Sequence, residues 1–301
     1  MKTKLIVVLG QTATGKSALA VELAKKFNGE VVSADSRQVY KRLNLGTGKV
    51  TKKEMKGVPH YLLDVASPKS MFTVTRFKKL ADKAIKDIAR CSKTPILCGG
   101  TGFYIEAVVK NIVLPEVKPD VELRKKLDEK STEQLFTILK KLDPERAKNI
   151  DAKNPRRLIR AIEIASSLGN VPHLEAQPPS EYEILEIGTT LPDEILKSKI
   201  KKRLLERIKR GMIKEAERLH GEGLSWKRMR GLGLEYRFLA DHCENKITKE
   251  EMVELLNIAI WQYAKRQKTW FKRDPQIIWI NPTKKSEVKI IEKRVKEFLK
   301  K

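Results

Sequence analysis

The chain has 301 residues, 41% of them hydrophobic, and carries 63 Lys and Arg against 38 Asp and Glu, a formal charge of +25. That length allows one large domain or two, each with a buried core. No apolar run approaches the roughly 18 residues of a membrane span, no signal-peptide pattern follows Met1–Lys4, and Cys91, Cys98 and Cys243 form no C-x-x-C pair.

A transmembrane chain and a disulfide scaffold are therefore excluded, and a cytoplasmic protein is expected. The charge predicts a polyanionic partner, nucleic acid first and an anionic membrane second, against a lysine-rich composition without function. His60, His173, His220 and His242 have no metal-ligand spacing, and no 20-to-50-residue repeat is present.

In chain order, the apolar run Leu5–Leu9 predicts a buried strand. It feeds Gly10–Ser17, G-Q-T-A-T-G-K-S, which fits the phosphate-loop pattern at every fixed position, and Ala18–Ala24 then reads as a helix. In such a loop the backbone amides of Gly10, Thr12, Ala13, Thr14 and Gly15 wrap a diphosphate at a helix N-terminus. Lys16 reaches the outer phosphate, and the Ser17 hydroxyl ligates Mg²⁺. Whether the diphosphate belongs to a nucleotide stays open.

Glu30–Ala34 predicts a second strand, giving a strand, loop, helix, strand opening of a parallel sheet whose ligands sit beyond the carboxyl ends of the strands. Asp35 follows directly, placed to hold Mg²⁺, to accept a substrate proton or to cap the next turn. Leu45–Gly57 reads as loop, Tyr61–Val65 as a short strand and Phe77–Ile88 as an amphipathic helix. The strand in Pro95–Tyr104 runs into a second glycine-rich turn, where Gly99, Gly100 and Gly102 allow close approach of a ligand or simply a tight turn, and Thr101 supplies a hydroxyl.

From Val113 to Pro192 prolines punctuate helical stretches near Val121–Glu129, Thr132–Lys141 and Arg156–Leu168, the pattern of a helical insertion, before Tyr182–Thr189 returns to strand. Leu191–His220 reads as a basic helix on which one arginine turns inward, and Arg228–Leu234 as a basic, glycine-broken turn. Ile247–Asn257 opens a helix at the T-K-E-E cap and continues through Ile258–Arg273. There Lys265, Arg266, Lys268 and Lys272 alternate with Tyr263, Trp270 and Phe271, as a nucleic-acid surface or as an amphipathic helix with core aromatics. Ile277–Ile280 predicts a last strand and Ser286–Leu299 a closing helix.

The expected fold class is α/β: a P-loop NTPase-like parallel sheet with flanking helices plus a mostly helical insertion domain. Residues 1–112 and 191–301 form the core, and 113–190 the insertion.

With G-Q-T-A-T-G-K-S, S-A-D-S-R-Q-V-Y-K, P-I-L-C-G-G-T-G-F-Y, N-P-R-R-L-I-R-A-I-E and Y-A-K-R-Q-K-T-W-F in this order, the chain resembles the tRNA dimethylallyltransferases (tRNA isopentenyltransferases) of bacterial type over nearly its whole length. The resemblance implies transfer of a dimethylallyl group from dimethylallyl diphosphate to N6 of the adenine 3′ of the anticodon, by a monomer that binds the anticodon stem-loop.

By the same resemblance Asp35 contacts the adenine amino group, Thr101 assists at the reacting centre and Arg203 holds the diphosphate. The implied tRNA contacts are Asp35, Ser36, Arg37, Gln38, Arg124, Arg156, Arg157, Leu158, Ile159 and Arg160. Toward the C-terminus they continue with Arg228, Arg230, Gly231, Gly233, Lys265, Arg266, Gln267, Lys268, Thr269, Trp270, Phe271 and Lys272. Two positions depart from the family pattern. Gln11 replaces the usual proline, which predicts altered loop rigidity with no loss of a phosphate donor, and the G-Y-[KR] element reads Gly233-Leu234-Glu235 with Tyr236 displaced. The alternatives are an isopentenyltransferase of a free adenine nucleotide and a phosphate-loop kinase of a small metabolite.

Overall fold

The computed structural model describes residues 2–172 and 178–300, which leaves His173 outside the described residues. The first half of the core holds β1 (Thr3–Gly10), α1 (Lys16–Lys26), β2 (Gly29–Ala34), α2 (Lys52–Met55), β3 (His60–Tyr61), α3 (Val74–Arg90), β4 (Thr94–Gly99) and α4 (Gly102–Val109). Four helices follow: α5 (Val121–Asp128), α6 (Thr132–Leu142), α7 (Pro144–Asn149) and α8 (Pro155–Leu168). The chain then runs through β5 (Tyr182–Thr189), α9 (Asp193–Lys209), α10 (Met212–Gly221), α11 (Trp226–Leu232), α12 (Leu234–Cys243), α13 (Lys249–Phe271), β6 (Ile278–Ile280) and α14 (Lys285–Lys300).

The six strands form one parallel sheet in the order β3-β2-β4-β1-β5-β6. Helices cover both faces, so its strands are apolar on both sides. Leu5, Val7 and Leu9 of β1 enter one core with Phe77, Ile85, Leu204 and Ala264, while Ile6 and Val8 enter a second with Leu19, Leu23, Ile291 and Val295. This two-residue alternation is what an extended chain imposes. The register aligns Leu9 with Gly99, Ala34 with Gly99 and Gly10 with Thr189, which brings four strand ends to one level. The architecture is the phosphate-loop α/β class expected from the sequence.

Two compact units divide the chain, Met1–Lys110 with Ser180–Lys301, and Asn111–Pro179. The expected insertion 113–190 is thus shorter at its end, because Tyr182–Thr189 pairs residue by residue with β1 and belongs to the sheet. Within the second unit Leu127, Leu135, Leu139, Leu158 and Ile162 make a separate core.

Four local readings differ from the structure. Leu45–Gly57, expected as loop, holds the short helix α2, which a Thr51–Glu54 capping box opens. The short strand β3 spans only His60–Tyr61, because Leu62 and Asp64 take positive φ (63° and 56°) and turn the chain away. The long basic helix breaks at Gly211 (φ 97°) into α9 and α10. Arg228–Leu234, expected as a turn, lies mostly in α11, which Ser225 caps and which buries Met229 and Leu232 before Gly233 (φ 74°) ends it. Seven residues give too little periodicity to show this helix in the sequence.

Glu186 of β5 is a carboxyl inside the fold, and burial lifts it to about 7, with Asp274 adding to the shift and Lys110 opposing it. A carboxyl raised in the folded state binds more protons there than unfolded, so stability falls as pH rises from about 4.5 toward 7. Glu186→Gln is expected to be more stable than wild type by up to about 3 kcal/mol above pH ~7, and the gap should close below pH ~5. Urea unfolding of both proteins across that range checks it; a gap independent of pH would show that Glu186 ionises freely in the fold.

Candidate active site

The phosphate loop takes left-handed φ at Gly10 (135°), Ala13 (61°) and Gly15 (101°). Gly10 is required there, since a Cβ would strike the Thr189 backbone. Thr14 is buried, and its hydroxyl donates to the Gln11 carbonyl (2.8 Å) and shares a hydrogen bond with Thr189 Oγ1 (2.7 Å), so its side chain is scaffold. The Thr12 N–H is also committed, to Gln267 Oε1 at 2.8 Å. What the loop offers an anion is the turn from Ala13 onward and the first N–H groups of α1, which helix geometry leaves unpaired. Lys16 donates to the Gln11 carbonyl. Burial lowers its ammonium to about 8, with nearby Arg203 pushing the same way and Asp35 against it.

Of the three roles left open for Asp35, the structure shows the cap and places the residue at a cleft. Its Oδ1 accepts the N–H groups of Arg37 (2.8 Å) and Gln38 (3.2 Å), which caps the turn, while Oδ2 is held more loosely by the Gln38 amide at 3.3 Å. Asp35 also lines a cleft of about 520 Å³ together with Ala13, Gly15, Lys16, Ser17, Gly100, Arg203 and Tyr263. Thr101 follows cleft-lining Gly100 as the N-cap residue of α4, and its hydroxyl accepts the Ser36 N–H at 3.0 Å. Cys98 also lines the cleft, but burial pushes its thiol up to about 12, which makes it inert.

Arg203 donates to the Gly48 carbonyl at 3.0 Å from α9. One turn later, Arg207 is buried and donates to the carbonyls of Leu45 (3.2 Å) and Gly46 (3.3 Å) and to Glu235 (2.9 Å). On the other side of the same loop, the buried Glu215 carboxylate accepts the N–H groups of Asn44 (3.1 Å), Leu45 (2.8 Å) and Gly46 (2.9 Å) and the Tyr236 hydroxyl (2.7 Å). Tyr236, displaced from the family element, is thus a strut under the loop that seats Arg203. Sequence reading missed Arg207 and Glu215; the Arg203/Arg207 spacing of one helical turn was the available signal.

Among the residues assigned to RNA, Arg156 and Arg157 are exposed on α8, Lys265, Arg266 and Thr269 on α13, and Lys272 at the C-cap of α13. Lys268 pairs with Asp193 at 3.1 Å, and half-buried Trp270 covers Gly102 with the Arg273 guanidinium over its ring. Four assigned side chains are interior: Leu158 and Ile159 in the core of the helical unit, Gln267 and Phe271 on the inner face of α13. A helix turns part of any contiguous motif inward, so these four do not present a surface to a polyanion.

Arg124 grips buried Glu163 through two 2.7 Å hydrogen bonds, and Arg160 adds a third at 3.3 Å and one to the Val117 carbonyl at 3.0 Å. Arg228 donates to the carbonyls of Pro68 (2.8 Å) and Ser70 (2.7 Å), and Arg230 is paired with Asp241 and Glu244. These four arginines carry structural bonds where the motif suggests RNA contacts. Gly231 is exposed in α11, and Gly233 faces Arg37, whose Nη2 would lie 3.8 Å from a Cβ there.

A family model described as IPP transferase matches residues 38–274. The chain is 46% identical to tRNA dimethylallyltransferase 2 of Treponema denticola, over 89% of this chain and 91% of that one. It is 39% identical to the tRNA dimethylallyltransferase of Carboxydothermus hydrogenoformans, over 99% and 98%. Among solved structures it superposes on a full-length tRNA isopentenylpyrophosphate transferase from Bacillus halodurans with a TM-score of 0.75 and 33% identity, covering 99% of this chain and 97% of that one.

Proposed function

The chain belongs to the IPP transferase family, and from that premise we propose that it transfers a dimethylallyl group from dimethylallyl diphosphate to N6 of the adenine immediately 3′ of the anticodon in tRNA. The observation that carries this reading is the shared cleft: the phosphate loop, Lys16 and Arg203 line one part of it, and Asp35 stands in its wall. A diphosphate and a nucleophile are both needed there, and the cleft supplies groups for each.

The adenine amino nitrogen is a weak nucleophile because its lone pair is delocalised into the ring. As the N6–C bond forms and the allylic C–O bond breaks, the N6 proton passes to Asp35 Oδ2 and the electron pair leaves with the diphosphate. Negative charge grows on that leaving group, where the α1 N–H groups, Lys16 and Arg203 oppose it. The adenine has to leave its stack to reach the strand ends, so a flipped base is part of the proposal. Among the residues assigned to RNA, exposed Arg156, Arg157, Arg266 and Lys272, with Lys265 over the Trp261 ring, are the basic groups proposed to meet RNA phosphates.

Magnesium fits this donor set. Ser17 lines the cleft beside Lys16, and among the described residues no group of three His, Cys, Asp or Glu could hold a metal alone. That suits an ion bound by the Ser17 hydroxyl and diphosphate oxygens with water. When bound, it would supply further charge neutralisation to the leaving group. Among the described residues no helix is long and apolar enough to cross a membrane.

Incubation with labelled dimethylallyl diphosphate and, separately, unmodified tRNA, AMP or ATP tests the reading. Label is expected in tRNA at the adenine 3′ of the anticodon. Label in AMP or ATP would instead indicate a free-nucleotide isopentenyltransferase, and phosphate transfer from ATP a kinase.

A further inference from the structure

Gln267 is only 6% exposed, yet it is a polar side chain in the middle of a long helix, and both ends of its amide are committed. Its Oε1 accepts the Thr12 N–H at 2.8 Å and its Nε2 donates to the Gly100 carbonyl at 2.8 Å. Because an N–H can only donate and a carbonyl only accept, the two partners fix the orientation of the amide. A Cβ at Gly100 would collide with Nε2, so bare backbone at that position admits the glutamine. One turn back in α13, the Ala264 carbonyl accepts from Gln11 Nε2 at 3.2 Å, a bond that the family's usual proline cannot make.

The phosphate loop and the Gly100 turn follow different strands, β1 and β4, and α13 joins them through this amide. From the Gly100 turn the connection continues: Thr101 accepts the Ser36 N–H, and Ser36 adjoins Asp35. A hydrogen-bonded path therefore runs from the loop that holds the leaving group to the carboxylate that takes the proton, with Gln267 at its centre.

We propose that Gln267 is a positioning residue that fixes the separation between the diphosphate loop and the Thr101–Asp35 side of the cleft. The proposal rests on the transfer reaction set out above, in which the amino nitrogen, the allylic carbon and the departing oxygen must line up. Gln267 also borders the cleft, but it acts through its bonds to Thr12 and Gly100 and needs no contact between the amide and a substrate. Its effect is on alignment in the transition state, where displacement by about 1 Å costs roughly 100-fold in rate. The Thr12 N–H, spent on Gln267, is not a diphosphate donor.

Gln267→Met keeps the side chain's size and removes both hydrogen bonds, while Gln267→Glu keeps the acceptor for Thr12 and regains a donor to Gly100 only when protonated. For the methionine variant, the single-turnover rate at saturating dimethylallyl diphosphate and tRNA is expected to fall about 100-fold, with the Kd values for inorganic pyrophosphate and tRNA within about threefold of wild type. The glutamate variant should gain rate toward wild type as pH is lowered, relative to a wild-type profile recorded alongside. A methionine variant that binds pyrophosphate much more weakly but turns over at the wild-type rate when saturated would overturn the proposal, as would wild-type kinetics throughout. Should the methionine variant not fold, a glutamate profile parallel to that of wild type overturns it equally. Failure of the reaction assignment itself would show in the wild-type protein, as absent transfer to tRNA.

Discussion

Asp35→Ala is expected to lower the single-turnover rate of alkyl transfer by roughly 10²- to 10⁴-fold, the usual worth of a positioned general base, with a much smaller effect on tRNA binding. Alanine removes two functions together, because Oδ1 also caps the Ser36–Gln38 turn through the N–H groups of Arg37 and Gln38. Asp35→Asn separates them. The asparagine oxygen still accepts those N–H groups, but an amide cannot take the N6 proton. If the carboxylate acts as the base, the asparagine variant is as slow as the alanine variant while its stability stays near wild type. If the cap alone mattered, asparagine would restore most of the rate. Near-normal transfer by either variant under single-turnover conditions would remove Asp35 from the chemistry.

Glu215→Ala is expected to have the largest effect on stability, on the order of 4 kcal/mol, since each buried donor left without a partner costs about 1–3 kcal/mol. Four donors meet this carboxylate: the N–H groups of Asn44, Leu45 and Gly46 and the Tyr236 hydroxyl. The three N–H groups lie in a loop that Arg207 holds from its carbonyl side, so Glu215 and Arg207 grip opposite polar groups of Leu45 and Gly46. The consequence reaches the cleft, because Gly48 in that loop accepts from Arg203. In urea the alanine variant should unfold at a clearly lower midpoint with an unchanged slope, and Glu215→Gln, which keeps acceptor capacity without the charge, should fall between. The folded alanine variant should also show a raised KM for dimethylallyl diphosphate. A wild-type midpoint for Glu215→Ala would mean that the loop finds other partners.

The phosphate loop, the position of Asp35 and five of the six strands were legible because each depends on short-range pattern, whereas only Tyr61 of the expected strand Tyr61–Val65 lies in β3. A buried parallel strand reads as an apolar run, and a loop that wraps phosphates needs glycine at fixed places. The insertion was legible from its prolines and helical spacing, though its far boundary required the pairing of β5 with β1.

What the sequence by itself determined was therefore the sheet and the phosphate-loop turn, together with a family resemblance that the IPP transferase model and the relatives bear out. What only the tertiary structure decided was the direction each polar side chain takes. Lys265, Arg266, Gln267 and Lys268 are contiguous, yet one is buried against the phosphate loop, one is ion-paired and two are exposed. Glu215 and Arg207, in helices whose other charged residues mostly face water, instead hold a distant loop from both sides. Local sequence fixes the hundred-degree step between neighbours on a helix, but which face turns inward depends on what the rest of the chain places beside it.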